Sequence, residues 1–383
     1  MRFIKRVMNK EGINAEPFSV ILNKVQILYI IANYVLERLT CLMFKNIRPF
    51  RPSLKQILFG GLGGSIGVIG VLFAGAIYVV ETLVRPTKKR GIFENYTFSP
   101  FELELPAENV TFAPLRGDHK VSAWFVSYPD ATTTIIVCPG YRTRKSDMLG
   151  IGTKLWHAGH NILIFEYYGH GTDVGTPVTL GYREINDFLG AVAYAKGRAP
   201  QTRLGVLAYS MGASTAIMGC AQSTDIEALV LDSPFASHWG VVEYNVHRVF
   251  PLPAAPFVWL ADQLMWWRAK YHFHQVEPLR DISKISPRPI LLIQGGKDSI
   301  VDPFDASLLL KAAGEPKELW FIPEVDHCGA YFADRYAYAK KVTDFFDLYL
   351  KQAPRLQMIE NNPPASTGPA SVNTAIQNLP EAS

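Results

Sequence analysis

The sequence is poor in cysteine, and its four cysteines lie far apart with no Cys-x-x-Cys pair. This spacing excludes a disulfide framework and supplies no zinc-type ligand set. His272 and His274 are close together, but no carboxylate or thiolate is spaced to complete a metal site with them, so we interpret both as structural. Cys138 and Cys220 lie in apolar surroundings, which predicts buried thiols.

A strong excess of one charge is also missing. The net charge is +4, and the sequence contains neither an aromatic–basic stripe nor zinc-finger spacing, so nucleic acid is not an expected partner. The 383 residues, 48% of them hydrophobic, allow one large domain with a sizeable core and additional segments.

One long run lacks charge altogether. Gln56–Val80 holds about 25 uncharged residues, and a helix needs roughly 20 to cross the hydrocarbon core of a bilayer. The run begins too late for a cleavable signal peptide. We interpret residues 54–84 as a single-pass membrane anchor, with a buried soluble helix as the alternative. Lys and Arg flank both ends in similar number, so the sequence does not decide the orientation.

Small residues recur three or four positions apart within this run, which places them on one helical face. Such a face supports close helix–helix packing in membranes, so self-association is one prediction and an anchor that packs against nothing is the other. The residues are Gly60, Gly63, Gly64, Gly67, Gly70 and Ala74. The preceding segment, residues 1–53, is expected to contain an amphipathic helix at the membrane surface or one packed on the main domain.

From about residue 95 to 351, short β-rich runs bounded by Gly or Pro alternate with helical stretches. Continuous apolar strands that alternate with helices predict an α/β fold with a mostly parallel sheet covered on both faces. In that architecture, ligands bind beyond the carboxyl ends of the strands. Residues 352–383 are rich in Pro, Asn, Ala and Ser and are predicted to be disordered.

A strand runs directly into a small-residue turn and a helix at "LGVLAYSMGAS", with Ser210 at the corner. The nucleophile elbow of hydrolases is written Gly-x-Ser-x-Gly, and here Ala208 replaces the first glycine while Gly212 keeps the second. Ser210 is therefore a candidate nucleophile. The alternative is an ordinary serine that caps the following helix.

A serine hydroxyl needs a base, and the base needs an orienting acid. His327 follows the last strand-like run and precedes the C-terminal helix, which predicts a loop position at the same end of the sheet as Ser210. Asp298 ends a strand and its glycine turn in "LLIQGGKDSIVDP". Asp302 is the main competitor for the role of acid, and Asp232 is a weaker one.

The chain order Ser210, Asp298, His327 and the motifs "LAYSMGAS", "LVLDSPF", "PILLIQGGKDSIV" and "VDHCG" resemble the α/β-hydrolase superfamily. More closely, they resemble membrane-anchored serine hydrolases related to the serine aminopeptidase and prolyl oligopeptidase-like group. The resemblance implies an oxyanion hole made by the N–H groups of Met211 and Tyr141. The loop before Tyr141 reads Pro-Gly where family members often have His-Gly.

An aromatic insertion, residues 236–278, follows the sixth strand, where this fold often carries a helical cap. Trp239 and Trp266 of this insertion are candidate substrate contacts, and the alternative is that they belong to the core of the cap. His170, in the glycine-rich loop that begins at Tyr167, is a third candidate, and the alternative for it is a plain turn. An apolar cap on an anchored hydrolase suits an acyl or lipid-like substrate.

The sequence thus predicts a membrane-anchored serine hydrolase that cleaves an ester or thioester without metal or organic cofactor. A serine peptidase of the same fold and a catalytically silent interaction protein are the alternatives.

Overall fold

The part of the chain described by this computed structural model contains the strands, the helices and the candidate site residues. It comprises residues 70, 72–85, 98–170, 177–249 and 254–352. The predicted segment 1–53, most of the run Gln56–Val80 and nearly all of the predicted tail lie outside these residues. Within the described ranges, no helix is both long and apolar enough to cross a membrane.

The described strands form one eight-stranded sheet with the order β1-β2-β4-β3-β5-β6-β7-β8. β1 and β2 are antiparallel to their neighbours, and β3 to β8 are parallel to one another. The bounds are β1 Ala107–Phe112, β2 Val121–Val126, β3 Thr133–Cys138, β4 Asn161–Glu166, β5 Arg203–Tyr209, β6 Ile226–Asp232, β7 Ile290–Gly295 and β8 Lys317–Ile322.

Helices cover both faces of the sheet and form a cap. Their bounds are α1 72–84, α2 Leu149–His157, α3 Glu184–Arg198, α4 Met211–Cys220, α5 His238–Val249, α6 Ala255–Ala269, α7 Phe304–Ala312 and α8 Arg335–Phe346. Shorter helical turns lie at Pro100–Leu103, Lys145–Met148, Phe273–Gln275, Pro278–Asp281, Ile282–Ile285 and Ala330–Ala333. Asp347–Gln352 continue α8 as a π-helical turn.

The central strands are buried on both faces because successive side chains point to opposite sides of the sheet. In β3, Ile136 packs in one core cluster with α3, α4 and α7, whereas Ile135 and Val137 pack in the other with α2 and α8. This double burial explains why the strands are continuous apolar runs in the sequence. The fold is α/β with a mostly parallel sheet, as the sequence predicts.

A third core cluster joins the cap to α1. The cap helices α5 and α6 lie between β6 and β7, as the aromatic insertion predicts. Ala76, Val80 and Val84 of α1 are buried with Phe257 and Met265 of α6. The C-terminal half of α1 is therefore part of the folded domain, beside the cap.

Candidate active site

Ser210 lies at the turn between β5 and α4 with φ 51° and ψ −121°. This conformation is strained for a residue with a side chain, and small neighbours allow it. A Cβ atom on Gly212 would lie 2.4 Å from the Pro139 carbonyl oxygen, so only glycine fits there. Ala208, by contrast, is accommodated with its methyl group fully buried. The elbow thus forms with alanine at its first position.

The Ser210 side chain does not cap α4. Its Oγ lies 2.7 Å from His327 Nε2, and His327 Nδ1 lies 2.7 Å from Asp298 Oδ2. With the imidazole proton on Nδ1, the ring donates to Asp298 and accepts from the Ser210 hydroxyl. The helix-cap alternative for Ser210 therefore does not describe this site.

Of the three candidate acids, the structure brings Asp298 to the histidine. Asp298 is 2% exposed, and its Oδ1 accepts hydrogen bonds from the N–H groups of Ile300 and Val301. Asp302 instead accepts a bond from the Phe304 N–H at the start of α7. Asp232 is buried beneath the site, where it accepts hydrogen bonds from Ser233 and Tyr338.

The pKa of His327 is raised by its surroundings, as expected for a base that is hydrogen-bonded to a carboxylate. Burial alone disfavours the charged imidazole, but Cys328 and the hydrogen bond and charge of Asp298 outweigh it and raise the pKa of His327 well above its usual value. Burial raises the pKa of the Asp232 carboxyl to about 6, against the hydrogen bonds from Tyr338 and Ser233. Asp298 therefore contacts the histidine, whereas Asp232 bonds to Tyr338 and Ser233 beneath the site.

Several residues that hold the loops escaped the sequence reasoning. Asp326 accepts hydrogen bonds from the Ser299 N–H and the His327 N–H, which ties the acid loop to the histidine loop. Ser233 Oγ accepts a bond from the Cys328 N–H, and Tyr244 of α5 donates to the Asp298 carbonyl oxygen. Asp326 adjoins His327 in the sequence, but nothing local identifies the other two because their partners are distant in the chain.

The predicted oxyanion donors lie beside the serine. A Cβ atom on Gly140 would sit 3.3 Å from Ser210 Cβ, so the Pro139-Gly140-Tyr141 loop packs directly against the elbow. Met211 is the first residue of α4, where an N–H has no intrahelical partner. Within the described ranges, the N–H groups of Met211 and Tyr141 donate no hydrogen bond to another backbone group.

The oxyanion loop is fastened to the end of α1. Tyr141 Oη shares its one proton between the carbonyl oxygens of Thr82 and Leu83, at 2.7 and 2.9 Å, and the Arg142 guanidinium donates to Thr82 O at 3.2 Å. The last carbonyl groups of a helix lack intrahelical partners and carry partial negative charge, which explains why a hydroxyl and a guanidinium bind there. We call this contact the α1 clamp.

The three predicted substrate contacts have different positions. His170 is buried, with its ring edge-on to Tyr141 at 5.7 Å, and its Nε2 has no hydrogen-bond partner among the described residues. Trp239 packs against the cap core. Trp266 stacks on His272 at the surface of α6 and is 48% exposed. The structure therefore brings His170 next to the oxyanion loop and leaves Trp266 on the outside of the cap.

Metal ligation has no candidate in the described ranges, where His, Cys, Asp and Glu form no cluster of three or more suited to an ion. His272 Nδ1 bonds to Asp262, which fits the structural interpretation of that histidine.

Comparison with known proteins places this geometry in a family context. The structure of an esterase from Pyrococcus furiosus, Pf2001, superposes with a TM-score of 0.57 at 22% identity, over 70% of this chain and 98% of that one. The α/β hydrolase GrgF from Penicillium gives 0.51 at 18% identity, over 64% and 99%. A family model described as serine aminopeptidase, S33, matches residues 129–278. Residues 129–278 are thus similar to that family, and the described residues have the α/β-hydrolase fold.

Sequence relatives match most of this chain. An uncharacterized protein of Bacillus subtilis is 26% identical over 306 residues, which cover 77% of this chain and 98% of the relative. An uncharacterized membrane protein of Saccharomyces cerevisiae is 24% identical over 279 residues, which cover 72% and 92%.

Proposed function

We propose that this chain is a serine hydrolase that cleaves a carboxylic ester or thioester through an acyl-enzyme. The observation that carries the proposal is the continuous hydrogen-bonded chain from Ser210 Oγ through His327 to Asp298. A serine at a strained elbow, with a base at 2.7 Å and a buried acid behind that base, is the arrangement that activates a hydroxyl for acyl transfer.

In the proposed mechanism, His327 Nε2 takes the Ser210 proton as Oγ attacks the substrate carbonyl carbon. The N–H groups of Met211 and Tyr141 receive the oxyanion, and one such donor contributes about 3 kcal/mol of transition-state stabilisation. The imidazolium then passes its proton to the leaving alkoxide or thiolate as the carbon–heteroatom bond breaks. A water molecule, deprotonated by His327, hydrolyses the acyl-enzyme and regenerates Ser210.

An ester or thioester is favoured over a peptide because its leaving group needs less acid assistance. The sequence contains no charge clamp for a free peptide terminus, and the apolar cap suits an acyl chain. The second candidate is a serine peptidase, which the description of the matching family model favours. A panel of acyl esters of increasing chain length, assayed beside aminoacyl and peptidyl amides, separates the two; faster turnover of the amides would reverse the assignment.

The test of the nucleophile is covalent labelling by a fluorophosphonate probe in detergent. We expect the wild type and Ser223→Ala, a serine in a distant turn, to label equally, and Ser210→Ala and His327→Ala to lose labelling. Circular dichroism checks that each variant is folded. If folded wild-type protein does not label, the catalytically silent interaction protein becomes the better description.

We further propose that the part of the run Gln56–Val80 that precedes the residues packed on the cap anchors the chain in a membrane as a single span. Its length and lack of charge support this, and one yeast relative is called a membrane protein. The full chain should remain in the membrane pellet after alkaline carbonate extraction. Release into the supernatant would remove the anchor from the proposal.

Self-association through the small-residue face of this run is a separate proposal. Its two described members, Gly70 and Ala74, are exposed, and no described residue would lie within 4 Å of a Cβ atom on Gly70. Gly63→Leu with Gly67→Leu should reduce crosslinking between copies in membranes. Unchanged crosslinking would leave the glycines as flexible parts of a solitary anchor.

A further inference from the structure

Three tryptophans are exposed on a single helix of the cap. Trp259, Trp266 and Trp267 of α6 are 58%, 48% and 72% exposed. Their spacing of seven and eight residues is two helical turns, which places all three on one face. Large aromatic side chains rarely lie together on a water-exposed face unless that face binds something.

The same face carries no charge within the helix. α6 contains two charged side chains, and both are held elsewhere: Asp262 is buried and accepts bonds from His272 and the Phe273 N–H, and Arg268 donates to Glu81 of α1 at 2.7 Å. Gln263 is the polar residue that remains between the tryptophans. We call the surface formed by Trp259, Gln263, Trp266 and Trp267 the aromatic face.

α1 runs beside α6 in the same direction. Gly75 lies against Phe257 near the start of α6, and Glu81 pairs with Arg268 near its end. On the outer side of α1, Phe73 and Ile77 are 46% and 43% exposed. The cap helix with the exposed tryptophans therefore packs on the helix in which the long uncharged run ends.

The length of that run identifies the occupant of the aromatic face. Leu72 packs on the core cluster shared with the cap and Gly75 lies against Phe257, so the part of the run that is left to cross a bilayer is Gln56–Val71. This is about 16 residues, near the lower limit for a helical span. Tryptophan is the residue type enriched at the boundary between lipid and water. A second protein could also cover the aromatic face, but it would not explain why the uncharged run ends beside it.

We propose that the aromatic face of α6, with Phe73 and Ile77 of α1, docks into the interfacial layer of the bilayer that anchors the chain. This inference rests on the proposed anchor and is independent of catalysis. Tyr244 of α5, the other cap helix, donates to the Asp298 carbonyl oxygen, so the docked cap is in direct contact with the loop that holds the proposed acid. The substrate class that fits this placement is an acyl ester carried by the membrane.

The experiment is quenching of tryptophan fluorescence by brominated lipid. The full chain with Ser210→Ala is reconstituted in phosphatidylcholine vesicles, with or without bromine on the acyl carbons nearest the headgroup. One variant replaces Trp259, Trp266 and Trp267 by Phe. The matched control replaces Trp124, Trp156 and Trp320, three tryptophans outside the cap, by Phe. Both keep Trp239 and the same total number of indoles.

We expect brominated lipid to reduce the emission of the control by roughly half and that of the face variant by about a tenth, because the face tryptophans lie at bromine depth. If both variants stay in the vesicles after carbonate extraction but are quenched equally, the docking is overturned and the anchor is retained. Unquenched emission together with crosslinks between copies through α6 would assign the face to self-association instead. The Ser210→Ala background makes every outcome independent of the proposed activity.

Discussion

At the scale of single residues, the identity of the acid is the sharpest question, because the sequence offers three candidate aspartates and only Asp298 contacts the histidine. Asp298→Asn keeps the size of the side chain but favours the wrong imidazole tautomer, so we expect kcat to fall by about 10⁴. Asp302→Asn is the matched control, because Asp302 bonds to the start of α7 and not to His327. Steady-state kinetics on one ester measures both; an equal loss in the two variants would reject Asp298 as the acid.

The protonation of His327 sets the pH dependence. The base works as neutral imidazole, so activity is present above its pKa and lost as the pH falls through it. Because Cys328 and Asp298 together hold that pKa above its usual value, the acidic limb of kcat/KM should lie at higher pH than the 6.5 of free histidine. The residual activity of Asp298→Asn should show this limb at lower pH, while Asp302→Asn keeps the wild-type profile. An unshifted limb in Asp298→Asn would mean that Asp298 does not control the pKa.

At the scale of elements, a substitution in the elbow tests whether alanine at position 208 lowers the reactivity of Ser210. Its methyl group is fully buried in β5, so Ala208→Gly removes packing and adds backbone freedom. We expect the free energy of unfolding to fall by about 1 kcal/mol, with the rate of fluorophosphonate labelling unchanged. Denaturant titration and labelling kinetics measure the two effects. A marked gain in labelling rate would show instead that the methyl group strains the nucleophile.

The α1 clamp predicts a positioning role for the Tyr141 side chain, distinct from its N–H group. Tyr141→Phe removes the hydroxyl proton that Thr82 O and Leu83 O share at the end of α1, so the oxyanion loop should lose its fixed position. We expect kcat to fall by roughly tenfold with little change in KM, since the donor acts in the transition state. Tyr194→Phe, a tyrosine stacked on Phe112, should keep both constants. A rise in KM alone would assign Tyr141 to substrate binding.

The clamp also shows where sequence reasoning stops. The alternation of strands and helices, the serine corner and the loop positions of Asp298 and His327 are local patterns, and each could be predicted. The clamp joins residues nearly 60 positions apart, and the Tyr244 contact to Asp298 joins a cap helix to a distant loop. Such contacts depend on tertiary packing and have no local signature. The antiparallel β1 also has a weak local signature, because only its last residue is buried.

At the scale of the whole molecule, α1 connects a membrane-sized apolar run to the catalytic domain. A flexible tether would leave the domain free to tumble, whereas a helix packed into the core would make the proposed anchor and the domain one mechanical unit. Three features support the second description: the buried residues Ala76 and Val80, the Glu81–Arg268 pair and the α1 clamp. Stability should therefore respond to changes in α1 as it does to changes in the core.

Two neighbouring valines make this testable. Val80 is 2% exposed in the cluster shared with the cap, whereas Val79 is only partly buried. Val80→Ala should lower the free energy of unfolding by about 2 kcal/mol, from lost burial and the cavity left behind, and Val79→Ala by well under half of that. Denaturant unfolding of the detergent-solubilised full chain, followed by near-ultraviolet circular dichroism of the domain, measures both. Equal stability of the two variants would mean that α1 is a tether, and the docked orientation of the cap would then lose its mechanical basis.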